Sequence, residues 1–308
     1  MNSIFWMVIQ VVTIVAVMPF FDGIARIVRA RMQSRKGPNS VFQTYLDIFK
    51  LLKRGGKTTP KYSHWFFRYA PFMLFAANAA ILAALPITYS DNINAGAYAD
   101  IFVIIYLGAL ARFIFGVASM DSGSPFAAIG GSREQMLAVF VEPVAIICLI
   151  VIMLLAKTSN LVVIQNLVRE GVVGYQIPAF AVASIAFLWA SYVETGRNPY
   201  DLAEAEQEVL EGVAGEYSGS DLAIVDVALM IKQVAMIGLF LSIFEPWNFT
   251  NPILALLVFI IEIGIFYVGA TFIDNLGPRY KLLKGFKKNA SFAFSVAFVA
   301  LILYVVGV

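Results

Sequence analysis

Residues 136–155 read MLAVFVEPVAIICLIVIMLL, twenty positions of which only Glu142 is of a charged type and only Pro143 disturbs a helix. The hydrocarbon core of a bilayer is about 30 Å thick and takes about 20 apolar residues as a helix. A surface helix of a soluble domain carries a polar stripe. This run has none, so it reads as a membrane span. Working outward, residues 4–21, 69–87, 101–117, 177–193, 224–243, 253–272 and 290–306 meet the same test. The chain therefore predicts an all-α integral membrane protein, a bundle of about eight transmembrane helices. Composition points the same way, with 60% hydrophobic and 14% charged residues and a mean hydropathy of +0.80. Soluble domains carry roughly 25% charged residues.

The first span is expected to stay in the mature chain. No basic residue precedes its apolar run, and it leads into Asp22 and several arginines rather than a small-residue cleavage site. Between spans the charge is one-sided. Segments at about 22–68, 118–135, 194–223 and 273–289 hold eighteen of the 22 Lys and Arg residues, eleven of them in 22–68. The opposite side has only Lys157 and Arg169. Basic loops remain cytoplasmic, so these four segments are expected on the cytoplasmic side of the cell membrane, with both termini outside. No change of composition and no repeat divides residues 1–308, which predict a single transmembrane domain.

One cysteine, Cys148, and one histidine, His64, limit the chemistry. Iron–sulfur clusters need about four thiolates, haem an axial ligand, and structural zinc about four N or S ligands. No cofactor or metal site is expected in this chain, a disulfide is excluded, and no nucleic-acid partner is implied. Any redox centre belongs to another subunit. Cys148 reads as a packing residue in an apolar helix, and His64 has no ligand geometry around it.

Two loops stand out. In 40–54, SVFQTYLDIFKLLKR, residues Phe42, Tyr45, Leu46, Phe49 and Leu52 recur at helical spacing with Gln43, Asp47, Lys50 and Arg54 opposite. This predicts an amphipathic helix lying in the interface, introduced by the Gly37-Pro38 turn. It suits a lipid anchor and a partner surface equally. In 194–221, ETGRNPYDLAEAEQEVLEGVAGEYSGSD, eight carboxylates accompany one base. Asp201, Glu204, Glu208 and Glu211 share one face of a predicted helix opened by Asn198-Pro199, while Glu206 points elsewhere and Glu216 follows a Gly212 and Gly215 break. Packed like charges titrate as a coupled set. The bland alternative is a solvated acidic face neutralised by the basic loop.

Five ionisable residues fall inside apolar spans: Arg112, Glu142, Asp226, Lys232 and Glu262. Each costs roughly 2.5–3.5 kcal/mol if unpaired at the bilayer centre, so such residues usually face the bundle interior and mark ion or proton routes. Arg112 lies near the end of its span and could snorkel. Asp226 and Lys232 are six residues apart, out of phase for a direct pair, so each is expected to pair with another helix. Structural ion pairing is the alternative to a proton route.

Four stretches carry a resemblance. GIARIVRARMQSRKGPNSVFQTYLDIFKLLKR (23–54), GSPFAAIGGSREQMLAVFVEP (123–143), GRNPYDLAEAEQEVLEGVAGEYSGSD (196–221) and DNLGPRYKLL (274–283) are similar, in this order, to the peripheral-arm-docking membrane subunit of the complex I superfamily. The second stretch leans towards membrane-bound, energy-converting nickel-iron hydrogenases. Asp22-Gly23-Ile24-Ala25-Arg26 replaces the Glu-Arg-Lys triplet expected of respiratory complex I after the first helix. Residues 198–211 instead look more like the complex I form, a mixture that suggests a branch such as an archaeal membrane-bound hydrogenase or a sulfur-reducing relative. The resemblance implies a non-catalytic coupling subunit of an ion-pumping oxidoreductase. Its implied partners are a hydrogenase-like large subunit, a small iron–sulfur subunit and antiporter-like membrane subunits, the nickel-iron centre and clusters lying in those partners. Arg26, Arg29, Arg31, Arg35, Arg133 and Glu134 would dock the partners, and the acidic set 201–216 would respond to their redox state. Arg112, Glu142, Asp226, Lys232 and Glu262 would carry the response onward to proton or sodium translocation. A quinone-site subunit of complex I, a secondary transporter and a purely structural anchor remain the rival readings.

Overall fold

The computed structural model describes residues 3–55, 64–89, 98–202, 212–246 and 251–307. Among them there is no strand, only an isolated bridge between Asp100 and Asn160. The helices described are α1 (Ser3–Met32), α2 (Gln43–Arg54), α3 (Trp65–Ala84), α4 (Ile101–Asp121), α5 (Pro125–Ala156), α6 (Leu161–Arg169), α7 (Pro178–Glu194), α8 (Gly219–Phe244), α9 (Pro252–Leu276), α10 (Leu282–Lys288) and α11 (Phe294–Val306). A π-helical turn, Asn289–Ala293, joins the last two into one apolar run. Among the described residues, seven helical runs are long and apolar enough to cross a membrane. The span predicted at 177–193 is the 17-residue α7, about 26 Å long and so at the lower limit for crossing.

The predicted loops need trimming. Hydropathy marks where the apolar run ends, whereas a helix continues as long as its backbone is bonded. α1 runs on to Met32, and α4 stops only at Asp121 before α5 starts at Pro125. The predicted loop 118–135 thus shrinks to residues 122–124, with Pro125 in the first helical turn, where its missing N–H costs nothing. α8 begins at Gly219 and α9 reaches Leu276, which shortens the other two loops as well. The amphipathic helix predicted at 40–54 forms as α2, beginning at Gln43.

α8 is the most buried spanning helix, with 67% of its apolar window inside, against 44% or less for the other six long runs. Around it pack α3, which also contacts α4, and α7, which contacts α5 and α11; α1 packs on α9. Close approach is built in where side chains are missing. A Cβ on Gly131 of α5 would lie 2.1 Å from Ser119 Oγ of α4, and one on Gly23 of α1 would lie 1.8 Å from the Val41 carbonyl oxygen before α2. Gln10, fully buried, clips α1 to the end of α3 by donating to the carbonyls of Leu82 (2.7 Å) and Leu85 (2.9 Å). α2 lies against α1 and α8 with Thr44 buried, while Phe42, Leu46, Phe49 and Leu52 stay exposed. Its apolar stripe therefore faces outward, as an interfacial helix requires.

Candidate functional site

The interior charges of four helices meet. Arg112 of α4 pairs with Glu142 of α5 and, at 3.3 Å, with Glu194 at the end of α7. Glu194 also faces Lys232 of α8 at 3.9 Å, and Lys232 donates to Glu134 of α5 at 2.9 Å. Side-chain exposures of Arg112, Lys232, Glu134 and Glu194 range only from 10% to 18%. Gln135 steadies the arginine by donating to the Arg112 carbonyl at 2.8 Å. Three carboxylates and two cations make a network with one excess negative charge. Each member would be costly alone in the membrane, and the pairing offsets much of that cost.

A cavity of about 90 Å³ opens beside it, lined by Arg112, Glu134, Glu194, Lys232, Tyr200 and Asp201 among others. A larger cavity of about 330 Å³ lies between α1, α2, α8, α9 and the 196–201 segment. Gly196, Asp201, Leu229 and Gln233 line both, so the two adjoin. Gln233 bridges them, donating to the Thr195 carbonyl at 3.1 Å and accepting from Arg197 at 3.3 Å.

Arg197 organises the second cavity. Its guanidinium lies 3.7 Å from the Tyr267 ring centroid, a cation–π contact, and 3.5 Å from Asp274. Arg29 of α1 reaches the same carboxylate at 3.0 Å. Arg26 links Asp22 (3.0 Å) to Asp47 of α2 (2.8 Å), and Thr44 donates to Asp22 at 2.8 Å. Asp201 is held by Arg279 at 2.7 Å, and the Tyr280 amide donates to the Pro199 carbonyl at 2.9 Å, beside a cis Asn198-Pro199 bond. Burial pushes the Tyr200 phenol above its usual range, and its hydroxyl has no hydrogen-bond partner among the described residues. At the start of α8 the Tyr217 ring stacks on Phe67 of α3 at 4.2 Å and 4°, and its hydroxyl donates to the Phe67 carbonyl at 3.0 Å. The second half of the acidic stretch is thereby fastened to the bundle.

Arg112, Glu142 and Lys232 thus come together. Arg112 does not snorkel, because two carboxylates hold it inside. Glu134, expected at a docking surface, faces Lys232, a consequence of α5 starting eleven residues before the apolar run. Asp226 lines the larger cavity. Glu262, on α9, belongs to neither cluster, and its Oε2 is buried without a hydrogen-bond partner among the described residues. Arg26 and Arg29 are engaged as described, Arg31 and Arg35 are exposed, Arg133 is half-buried, and Glu216 ends a short 3₁₀ turn, Ala214–Glu216. Glu204, Glu206, Glu208 and Glu211, with the helix expected there, lie outside the described residues. Sequence reasoning missed Glu194, Arg197 and Asp274. Arg197 is the one base in 194–221 and Asp274 the one acid in 273–289, and such odd-sign residues are a usable signal.

Residues 4–305 match the NADH dehydrogenase family. The chain belongs to that family. It is 36% identical to formate hydrogenlyase subunit 4 of Escherichia coli (strain K12) over 286 residues, covering 91% of this chain and 92% of that protein. Hydrogenase-4 component C of the same organism is 37% identical over 281 residues, covering 89% and 87%. An NADH-quinone oxidoreductase subunit of Brevibacillus brevis is 29% identical over 296 residues, covering 90% and 85%. Among solved structures, a chain of the membrane-bound sulfane sulfur reductase, an archaeal respiratory membrane complex, superposes with a TM-score of 0.83 at 21% identity, covering 98% of this chain and 99% of that one. At that identity the likeness speaks to the fold. Membership of this family fits the multi-pass architecture and the four stretches that carried the resemblance.

Proposed function

We propose that this family member is the membrane coupling subunit of a hydrogenase-type, ion-pumping oxidoreductase. The observation that carries the reading is a pair of adjoining polar clusters inside the bundle. One joins Glu142, Arg112, Glu194, Lys232 and Glu134; the other joins Gln233, Arg197, Asp274 and Arg29, beside the Asp22–Arg26–Asp47 cluster, and the cavities next to them share Gly196, Asp201, Leu229 and Gln233. The second reaches the loop-bearing basic face, which on the positive-inside rule is cytoplasmic, and the first lies between α4, α5, α7 and α8. The two E. coli relatives, by name a formate hydrogenlyase subunit and a hydrogenase component, support the hydrogenase branch.

In this reading the catalytic and iron–sulfur subunits dock at the basic face, where Arg31 and Arg35 are exposed, and carry the nickel-iron centre and the clusters. Reduction of the docked arm alters the field at the acidic segment 201–216. The response reaches the Glu134–Lys232–Glu194–Arg112–Glu142 set, whose excess carboxylate lets it take up or release one proton as a coupled unit. Neighbouring antiporter-like subunits convert that change into proton or sodium movement. Purification of the native complex, with metal analysis and ion-uptake measurements, tests the assignment. Nickel and iron with hydrogen-linked ion uptake are expected; a chain that purifies without redox partners and transports a solute by itself overturns it.

A further inference from the structure

Asn78 lies in the middle of α3 and is completely buried. Its Nδ2 donates to the Ala228 carbonyl of α8 at 2.9 Å. A carbonyl only accepts, so this bond settles which end of the amide is which. The other amide atom, Oδ1, is buried and has no hydrogen-bond partner among the described residues. Asn78 lines a small cavity of about 10 Å³ together with Arg112, Glu134 and Lys232. That is the least room that holds a single water, and a buried water needs two to four polar partners. Two are at hand: Asn78 Oδ1, and the third N–H of Lys232, whose other two are directed at Glu134 and Glu194.

We propose that this cavity is a one-water site, in which the water accepts from Lys232 Nζ and donates to Asn78 Oδ1. Asn78 is then a positioning residue that holds Lys232 between its two carboxylates. A neutral amide exchanges no proton at physiological pH, so its contribution is geometric: its Oδ1 holds the water that accepts from the third lysine donor within the bundle. Asparagine suits the position because it satisfies two partners at once, the α8 backbone with its nitrogen and the water with its oxygen. The site stands on the geometry of α3, α4, α5 and α8; its consequence for ion uptake rests on the coupling function proposed above.

The test uses the assembled complex. A cryo-EM map that resolves other buried waters is expected to show one within hydrogen-bond distance of both Asn78 Oδ1 and Lys232 Nζ. It should vanish in Asn78→Leu, with Lys232 displaced, and persist in Asn78→Ser, whose hydroxyl can still accept. In the leucine variant the pH of half-maximal ion uptake should rise by about one unit, a tenfold change in proton concentration, because a displaced Lys232 neutralises the proton-exchanging carboxylate less well. Redox turnover should be unchanged and the serine variant should restore the profile. A cavity without density in such a map, or a leucine variant with Lys232 unmoved, overturns the site. Should Asn78→Leu not assemble, Asn78→Ala against Asn78→Ser makes the same comparison. If ordered water is found and Lys232 moves but uptake is unaltered, the site stands and the coupling reading fails.

Discussion

Replacing Glu194 by glutamine removes the one carboxylate that faces both buried cations. At an effective dielectric of about 20, its attractions to Arg112 at 3.3 Å and Lys232 at 3.9 Å are worth about 5 and about 4 kcal/mol before desolvation. Most of that is offset by the cost of taking the three groups out of water. Each cation also keeps a second partner, Glu142 for Arg112 and Glu134 for Lys232. The net loss should therefore be about 1–3 kcal/mol, the scale of a charged hydrogen bond left unmade, and the complex should assemble. What changes more is the charge state. The network goes from one excess negative charge to none, so it loses the carboxylate that would exchange a proton. The assay is redox turnover of the purified complex in proteoliposomes, with ion uptake followed in parallel. Redox turnover should stay within about twofold while ions moved per electron fall at least about fivefold, the factor matching the low end of that energy. Glu194→Asp should recover part of the ratio. An assembled Glu194→Gln complex with an undiminished ratio would refute the reasoning.

Other outcomes follow from the same geometry. Arg112→Gln removes the cation that Glu142 faces and leaves Glu194 only its longer contact to Lys232, so it should cost about 3–5 kcal/mol and lower the yield of intact complex well below that of Glu142→Gln, as read by native electrophoresis and thermal denaturation. Gly131→Ala should prevent assembly, because its Cβ would lie 2.1 Å from Ser119 Oγ; adding Ser119→Gly should restore it, since the next neighbour is 3.8 Å away. Joint neutralisation of Glu208 and Glu211 should abolish ion uptake with redox activity retained if those carboxylates carry the response. Uptake at the normal ratio would leave them a docking role only.

The legibility of the site varied with the kind of residue. Glu142, Arg112 and Lys232 stood out because a charge inside an apolar run is expensive and therefore conspicuous. Glu194 did not, because it lies where the α7 apolar run ends and reads as one loop acid among eight. Glu134 was read as a surface residue for a related reason: its run turns apolar only at Met136, while the helix starts at Pro125. Asn78 gave no signal, being neutral and single in an apolar helix. Glu262 was conspicuous in sequence yet sits apart from the network, so conspicuousness finds buried charge but not its company.

The sequence by itself determined the class of fold, the basic loops, the amphipathic helix α2 and the number of thiolates this chain can offer a cluster. These follow from local composition, since crossing a bilayer depends on how apolar about twenty consecutive residues are. Only the tertiary structure decided which charges meet. A helix turns about 100° per residue, and a span that is apolar all round carries little trace of which side faces its neighbours. The rotations of α4, α5, α7 and α8 are set by packing, at contacts such as Gly131 against Ser119, and it is those rotations that bring Arg112 and Lys232 to the same carboxylate.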